Sequence, residues 1–162
     1  MTKRISFDEY FFRIVSVVSE RSTCLRRQFG ALLVRDNNIL SSGMNGAPSG
    51  CSHCLDIGCL RQTLGIQSGK NMELCRASHA EVNAIVQAAK HGISIKGAVL
   101  YTQSNPCGYC AKAIINAGIQ EVKYLNDDYP DKLGKELIEE SGKVKLTKVT
   151  LDPEKDFEYR LP

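Results

Sequence analysis

His79 and Glu81 stand two residues apart, and Cys107 and Cys110 follow in Pro106-Cys107-Gly108-Tyr109-Cys110. One imidazole and two thiols make three ligands for a cation such as zinc, which leaves the fourth tetrahedral position open to water. Bound zinc lowers the pKa of that water from about 15.7 toward 7, so a nucleophile is available at neutral pH. Glu81 is not needed as a ligand, so its carboxylate is free to move protons. The chemistry these residues spell is hydrolysis. Alone, a C-x-x-C pair also reads as a redox couple, and a lone histidine as a structural residue. The joint pattern is far more specific.

Such residues need elements to position them. A spacing of three on the first turn of a helix puts both sulfurs on one face, and a helix N-terminus favours thiolates. His79 must be neutral to ligate. A helix is expected over His79 to His91, with Val82, Ile85 and Ala89 on one side and Gly92 as C-cap. Another runs on from Pro106 through Ala113, Ile114 and Ala117 to Gly118. Between them, Ala98 to Thr102 reads as a buried strand. Upstream, Ser6-Phe7-Asp8-Glu9 is a capping-box pattern opening a helix over about 7–20, with Tyr10, Phe11, Ile14, Val15 and Val18 at helical spacing. Phe29 to Val34 and Ile39-Leu40 flank the turn cluster Arg35-Asp36-Asn37-Asn38, which predicts a β-hairpin. Downstream come a strand at Val122 to Leu125, a helix over about 131–141 and a strand near Val144 to Val149. This alternation predicts a three-layer α/β/α domain on a mixed sheet of about five strands, the later ones parallel.

At 162 residues the chain is expected to form one domain, 1–162, burying roughly 70% of its unfolded surface. A formal charge of +3, with no Lys/Arg run, does not call for a nucleic-acid partner and suits an anionic small molecule. The start, Met1 to Glu9, carries the acidic residues Asp8 and Glu9 where a signal peptide would have an unbroken apolar core, and no run approaches a membrane span, so a cytoplasmic protein with no membrane partner is expected. Seven cysteines, an odd number without a secretion signal, point to metal ligation over a disulfide framework. Residues 43–76 form a long loop rich in Gly and Ser, whose length implies that it is functional or pinned. Residues 151–162 read as a charged surface arm.

With these residues in view, the chain resembles the cytidine deaminase-like superfamily, whose zinc enzymes pair H-x-E with P-C-x-x-C. Within it, the stretch from about Arg21 to Tyr129 resembles the deoxycytidylate (dCMP) deaminases. The resemblance is carried by Arg21 to Ala31, Gly43-Met44-Asn45-Gly46-Ala47-Pro48, and His79-Ala80-Glu81-Val82-Asn83-Ala84-Ile85. Met44 stands where that family usually has an aromatic residue, and Phe29 where it usually has valine. The resemblance implies hydrolytic deamination of dCMP to dUMP and ammonia, feeding thymidylate synthesis, with Glu81 as the proton carrier. It implies a homo-oligomer, a hexamer by preference, with dCTP and dTTP as effectors. It also places Asn45 at the sugar hydroxyls and Tyr129 near the 5′-phosphate. Read by itself, Asn45 is equally a turn residue. Arg26 offers a guanidinium for phosphate, or is a solvated surface arginine.

Many members of that family carry a second, structural zinc, and the resemblance assigns it to Cys24, Cys54, Cys59 and Cys75. His53 is the substitute ligand, Cys51 is an extra thiol, and the other reading is a set of free thiols. Two further functions fit the same motifs. One is deamination of another amino-bearing nucleobase, in a nucleoside, guanine or tRNA. The other is a nucleic-acid-binding module whose zincs are both structural, against which Glu81 and the three-ligand site count.

Overall fold

Ser6 starts the first helix: its hydroxyl accepts the Glu9 backbone N–H at 3.1 Å, and α1 runs Phe7–Ser19. The computed structural model describes residues 4–151. The expected C-terminal arm therefore lies, from residue 152 on, outside the described residues. The buried face of α1 is Phe11, Phe12 and Val15, whereas Tyr10, which helical spacing places with them, is exposed.

β1 (Gly30–Arg35) and β2 (Asn38–Met44) form the predicted hairpin, with Arg35 paired to Asn38. Asp36 and Asn37 both take positive φ, 52° and 59°, as a two-residue turn of matching twist requires. Leu33 pairs with Ser41 and Val34 with Ile39, so Leu40 is the extra residue of a β-bulge.

From β2 the chain enters the long loop, closed at its neck by paired hydrogen bonds between Gly46 and Ser78 of 3.2 and 2.9 Å. The loop, which carries no sustained periodicity in the sequence, holds two single-turn helices, α2 (Cys54–Ile57) and α3 (Leu60–Thr63), and a 3₁₀ turn at Met72–Leu74. Elements this short bury too few residues to leave a periodic signal. The main helices and remaining strands follow: α4 (Ala80–Lys90), β3 (Val99–Ser104), α5 (Gly108–Asn116), β4 (Glu121–Asn126), α6 (Leu133–Ser141) and β5 (Lys145–Lys148).

The sheet has the order β2-β1-β3-β4-β5, antiparallel from β2 to β3 and parallel from β3 to β5. This is the mixed five-stranded sheet read from the sequence. Side chains alternate across it. Leu32, Val34 and Tyr101 face α1, while Ala31, Leu33, Leu100 and Val122 face the layer formed by α4, α5 and α6. Burial on both faces explains why β1 is an unbroken apolar run, and each large side chain withdrawn from water contributes about 1.5–3 kcal/mol.

Gly43 sets the position of α4. A Cβ there would lie 2.3 Å from the Ala80 carbonyl oxygen and 2.4 Å from the Ala84 nitrogen, so the helix backbone rests directly on β2. The N-terminal ends of α4 and α5 thereby meet beyond the carboxyl end of β3, where the sheet changes from antiparallel to parallel pairing. Among the described residues, no helix is long and apolar enough to cross a membrane.

Candidate active site

His79 and Cys107 are the N-caps of α4 and α5, each with extended backbone (φ −75°, ψ 154° and φ −77°, ψ 171°). The sequence reading set both inside the first turn; the cap position instead lets each side chain cross its helix end. His79 Nδ1 lies 3.3 Å from Cys107 Sγ and 3.4 Å from Cys110 Sγ, and the three ligand atoms are mutually within 4.8 Å. Tetrahedral zinc with bonds of about 2.0 Å to nitrogen and 2.3 Å to sulfur would hold such donors about 3.5 Å apart. The donor set and spacing fit one zinc ion.

The surrounding chain braces these ligands. The Asp131 carboxylate accepts the Gly108 N–H at 2.8 Å and the Leu133 N–H at 2.9 Å, joining the starts of α5 and α6. A Cβ on Gly134 would lie 1.9 Å from the Pro106 carbonyl oxygen, so α6 packs on the backbone entering Cys107.

Glu81 is only 8% exposed, and burial pushes its pKa above the usual carboxylate value, partly countered by the His79 charge. A carboxyl group raised in this way holds its proton to higher pH than an ordinary glutamate, which suits a group that both takes and returns one. Cys107 is pulled down to about 4 by the hydrogen bond from Cys110 and, against burial, by His79. Cys110 is pushed well above an ordinary thiol by the same bond and by burial. Burial disfavours a charged His79, yet contact with Cys107 and the Glu81 charge outweigh it and raise its pKa.

A cavity of about 530 Å³ opens on this cluster, lined by His79, Glu81 and Cys107 and by the expected substrate residues Asn45, Arg26 and Tyr129. Asn45 is a structural hub as well. Its Oδ1 accepts the Ser22 hydroxyl at 2.6 Å and the Phe29 N–H at 2.8 Å, and its Nδ2 donates to the Arg27 carbonyl at 2.9 Å. Arg26 is partly buried, and its Nη1 is fully buried without a hydrogen-bond partner. Tyr129 sets its ring edge-on to His79, 6.3 Å between centroids, and its hydroxyl 3.6 Å from Met72 Sδ.

Cys24, Cys54, Cys59 and Cys75 line the same cavity, close enough that the other three, after burial, raise the pKa of Cys54. No three of these sulfurs lie mutually within 4.8 Å; among the described residues only His79, Cys107 and Cys110 do so. The donor chemistry suits zinc, while the spacing is wider than one ion requires. His53 is the N-cap of α2; it bonds Thr23 Oγ1 through Nδ1 at 3.1 Å and is not among the cavity-lining residues.

Three residues at the site went unread in the sequence. Arg61 is 6% exposed and lines the cavity. Asn105 clasps the Tyr129 backbone with two hydrogen bonds of 3.2 Å. Asp131 braces α5. Their partners are distant or set by loop shape, so no spacing marks them; only the position of Asn105 beside Pro106 hinted at a role.

Two helix starts presenting imidazole and thiols, beside a buried carboxylate in a cavity at a sheet switch point, define the site of a metal-dependent hydrolase. Residues 5–126 match the model of the family described as the cytidine and deoxycytidylate deaminase zinc-binding region, and the chain belongs to that family. ComE operon protein 2 of Bacillus subtilis (strain 168) is 39% identical over 150 residues, covering 93% of this chain and 75% of that protein. The deoxycytidylate deaminase of Schizosaccharomyces pombe is 34% identical over 139 residues, covering 86% of this chain and 43% of the yeast protein. The chain thus spans less than half of that relative. The crystal structure of the dCMP deaminase from cyanophage S-TIM5, in complex with dCMP and dUMP, superposes with a TM-score of 0.74 at 29% identity, covering 91% of this chain and 99% of that one.

Proposed function

We propose that this chain hydrolyses dCMP to dUMP and ammonia. The observation that carries the reading is the buried Glu81 carboxylate beside the His79, Cys107 and Cys110 cluster, in a cavity that also holds Asn45, Arg26 and Tyr129. Deoxycytidylate deaminases among its relatives, and a fold neighbour bound to dCMP and dUMP, support the choice of nucleotide.

His79, Cys107 and Cys110 would hold zinc, which supplies a water acidified enough to attack at neutral pH. Glu81 would take a proton from the attacking water and pass it to ring nitrogen N3 as the water oxygen adds to C4 of the pyrimidine. Glu81 would then take the remaining proton from the new C4 hydroxyl and deliver it to the amino group, making it a leaving amine. The C4–N bond breaks, ammonia departs and the carbonyl of dUMP remains. The cavity wall around Glu81 keeps bulk water from levelling its raised pKa.

We extend the reading in four respects, the domain and location resting on chain length and composition, and the second zinc, the assembly and the thymidylate link on the sequence resemblance. The chain acts as one domain over residues 1–162. A second, structural zinc draws Cys24, Cys54, Cys59 and Cys75 together and pins the long loop. The protein assembles as a homo-oligomer, a hexamer by preference, with dCTP and dTTP as effectors, and it works in the cytoplasm on nucleotide destined for thymidylate synthesis. Metal analysis of purified protein checks the second ion, with two zincs per chain expected and one contradicting it. Light scattering with and without dCTP and dTTP checks the assembly.

The activity is tested by ammonia release from zinc-loaded protein given dCMP, CMP, deoxycytidine, guanine or tRNA. Selective turnover of dCMP is expected. Preference for an unphosphorylated nucleoside, guanine or tRNA would overturn the assignment.

A further inference from the structure

Arg61 belongs to α3, in the loop between β2 and α4, and is 6% exposed. Arginine is rarely so buried unless a carboxylate neutralises it. Among the described residues no ion pair involves Arg61. Its Nη2 donates to the carbonyls of Gln67 and Lys70 at 3.1 and 2.6 Å, which orient the guanidinium but carry no charge to offset its own. Its Nε is buried and has no hydrogen-bond partner.

The loop that holds Arg61 abuts the segment carrying Tyr129. Between the two anchoring carbonyls, Gly69 takes φ +76°, and a Cβ there would lie 2.6 Å from Pro130 Cγ. Tyr129, the residue before that proline, feels the positive charge of Arg61. Arg26 lines the same cavity and likewise has a buried, unpartnered Nη1. The other cavity arginines have work already: Arg27 pairs with Asp128 at 3.1 Å, and Arg76 Nε donates to the Ser52 carbonyl at 2.9 Å. Two guanidiniums with idle buried donors thus share one cavity with the hydrolytic cluster.

We propose that Arg61 is a specificity-determining residue that, with Arg26, receives the phosphate of a nucleoside 5′-monophosphate. This rests on the reading of the site as one for dCMP. A phosphate dianion supplies both the missing charge and the acceptors that idle guanidinium N–H groups need. A nucleoside would leave them unmet. Anchored by two carbonyls, Arg61 presents its charge already oriented, so little side-chain entropy is lost on binding.

The test titrates zinc-loaded wild-type, Arg61→Gln and Arg61→Lys proteins with dUMP, deoxyuridine and inorganic phosphate, by calorimetry or as competitive inhibitors of dCMP turnover. Arg61→Gln is expected to weaken dUMP about tenfold or more while deoxyuridine stays within about twofold, since a charged hydrogen bond is at stake. Inorganic phosphate should weaken in parallel with dUMP. Equal losses for dUMP and deoxyuridine, as from a loop that has merely lost its anchor, would overturn the proposal, and so would no loss for either. Zinc content and thermal midpoint are measured on each variant. Should Arg61→Gln fail to fold, Arg61→Lys decides, because it keeps the charge and loses the fork. Weaker dUMP with unchanged deoxyuridine is then expected, and unchanged dUMP would refute the role. Wild-type protein that binds deoxyuridine as tightly as dUMP would instead sink the dCMP reading itself.

Discussion

Cys107 Sγ lies 3.3 Å from His79 Nδ1, and each of the two residues is the N-cap of its helix. The contact couples metal loading to protons. Cys107 is already held at about 4, whereas Cys110 keeps its proton far above an ordinary thiol and His79 is raised above its usual value. A cation must displace the Cys110 proton throughout the working range, and the His79 proton as well once the pH falls below the raised histidine value. Zinc affinity should therefore fall with falling pH. Calorimetry in buffers of different ionisation enthalpy should show more protons released below the raised His79 value than above it. Release that does not vary with pH would contradict this coupling.

Glu81 links the site to stability. Burial raises its pKa, so the folded chain holds that proton to higher pH than the unfolded chain does. The stabilisation from protonated Glu81 is present in acid and is lost as pH rises through the folded value. Above that folded value the metal-free protein carries a buried carboxylate at a cost. Metal-free Glu81→Gln should therefore gain on wild type in urea as pH rises, and the gap should close in acid, below the unfolded glutamate value of about 4.3. A gap that widened in acid would reverse the sign of the argument.

Asn45 holds Ser22, Phe29 and Arg27 around its amide. Asn45→Ala strands those groups, so a loss of about 2–4 kcal/mol is expected in urea unfolding, along with reduced activity. Unchanged stability would show that the three bonds are replaced by water.

How much of this was legible beforehand depends on where each partner lies. The grouping of His79, Cys107 and Cys110 could be read because residue type and spacing along two helix starts bring such donors together. The hairpin could be read because Asp36-Asn37 tolerates the positive φ its turn demands. By contrast, the exchange of Tyr10 for Phe12 on the buried face of α1 is set by where Tyr101 and Leu32 of the sheet lie. Arg61 gave no sign because its ligands are the carbonyls of Gln67 and Lys70, and any residue supplies a carbonyl. Asp131 bridges two helix starts that only the folded chain brings together.

For the proposed second zinc, the sequence reading offers Cys24, Cys54, Cys59 and Cys75, with His53 as the substitute. The four thiols share one cavity wall, while His53 is bonded to Thr23 and is not among that cavity's lining residues. Cys59→Ala should reduce zinc from two ions per chain to one, whereas His53→Ala should leave the count unchanged. Loss of an ion on replacing His53 would move that ligand into the set.

The central claim is that Glu81, beside a zinc held by His79, Cys107 and Cys110, deaminates dCMP. Its most direct test is single-substrate turnover of dCMP by zinc-loaded wild type and Glu81→Gln, following dUMP and ammonia together. Equal amounts of both products from wild type are expected, with a fall of about 10²-fold or more in the variant at undiminished zinc content. Near-normal turnover by Glu81→Gln, or a zinc-loaded wild type that leaves dCMP intact, would contradict the account.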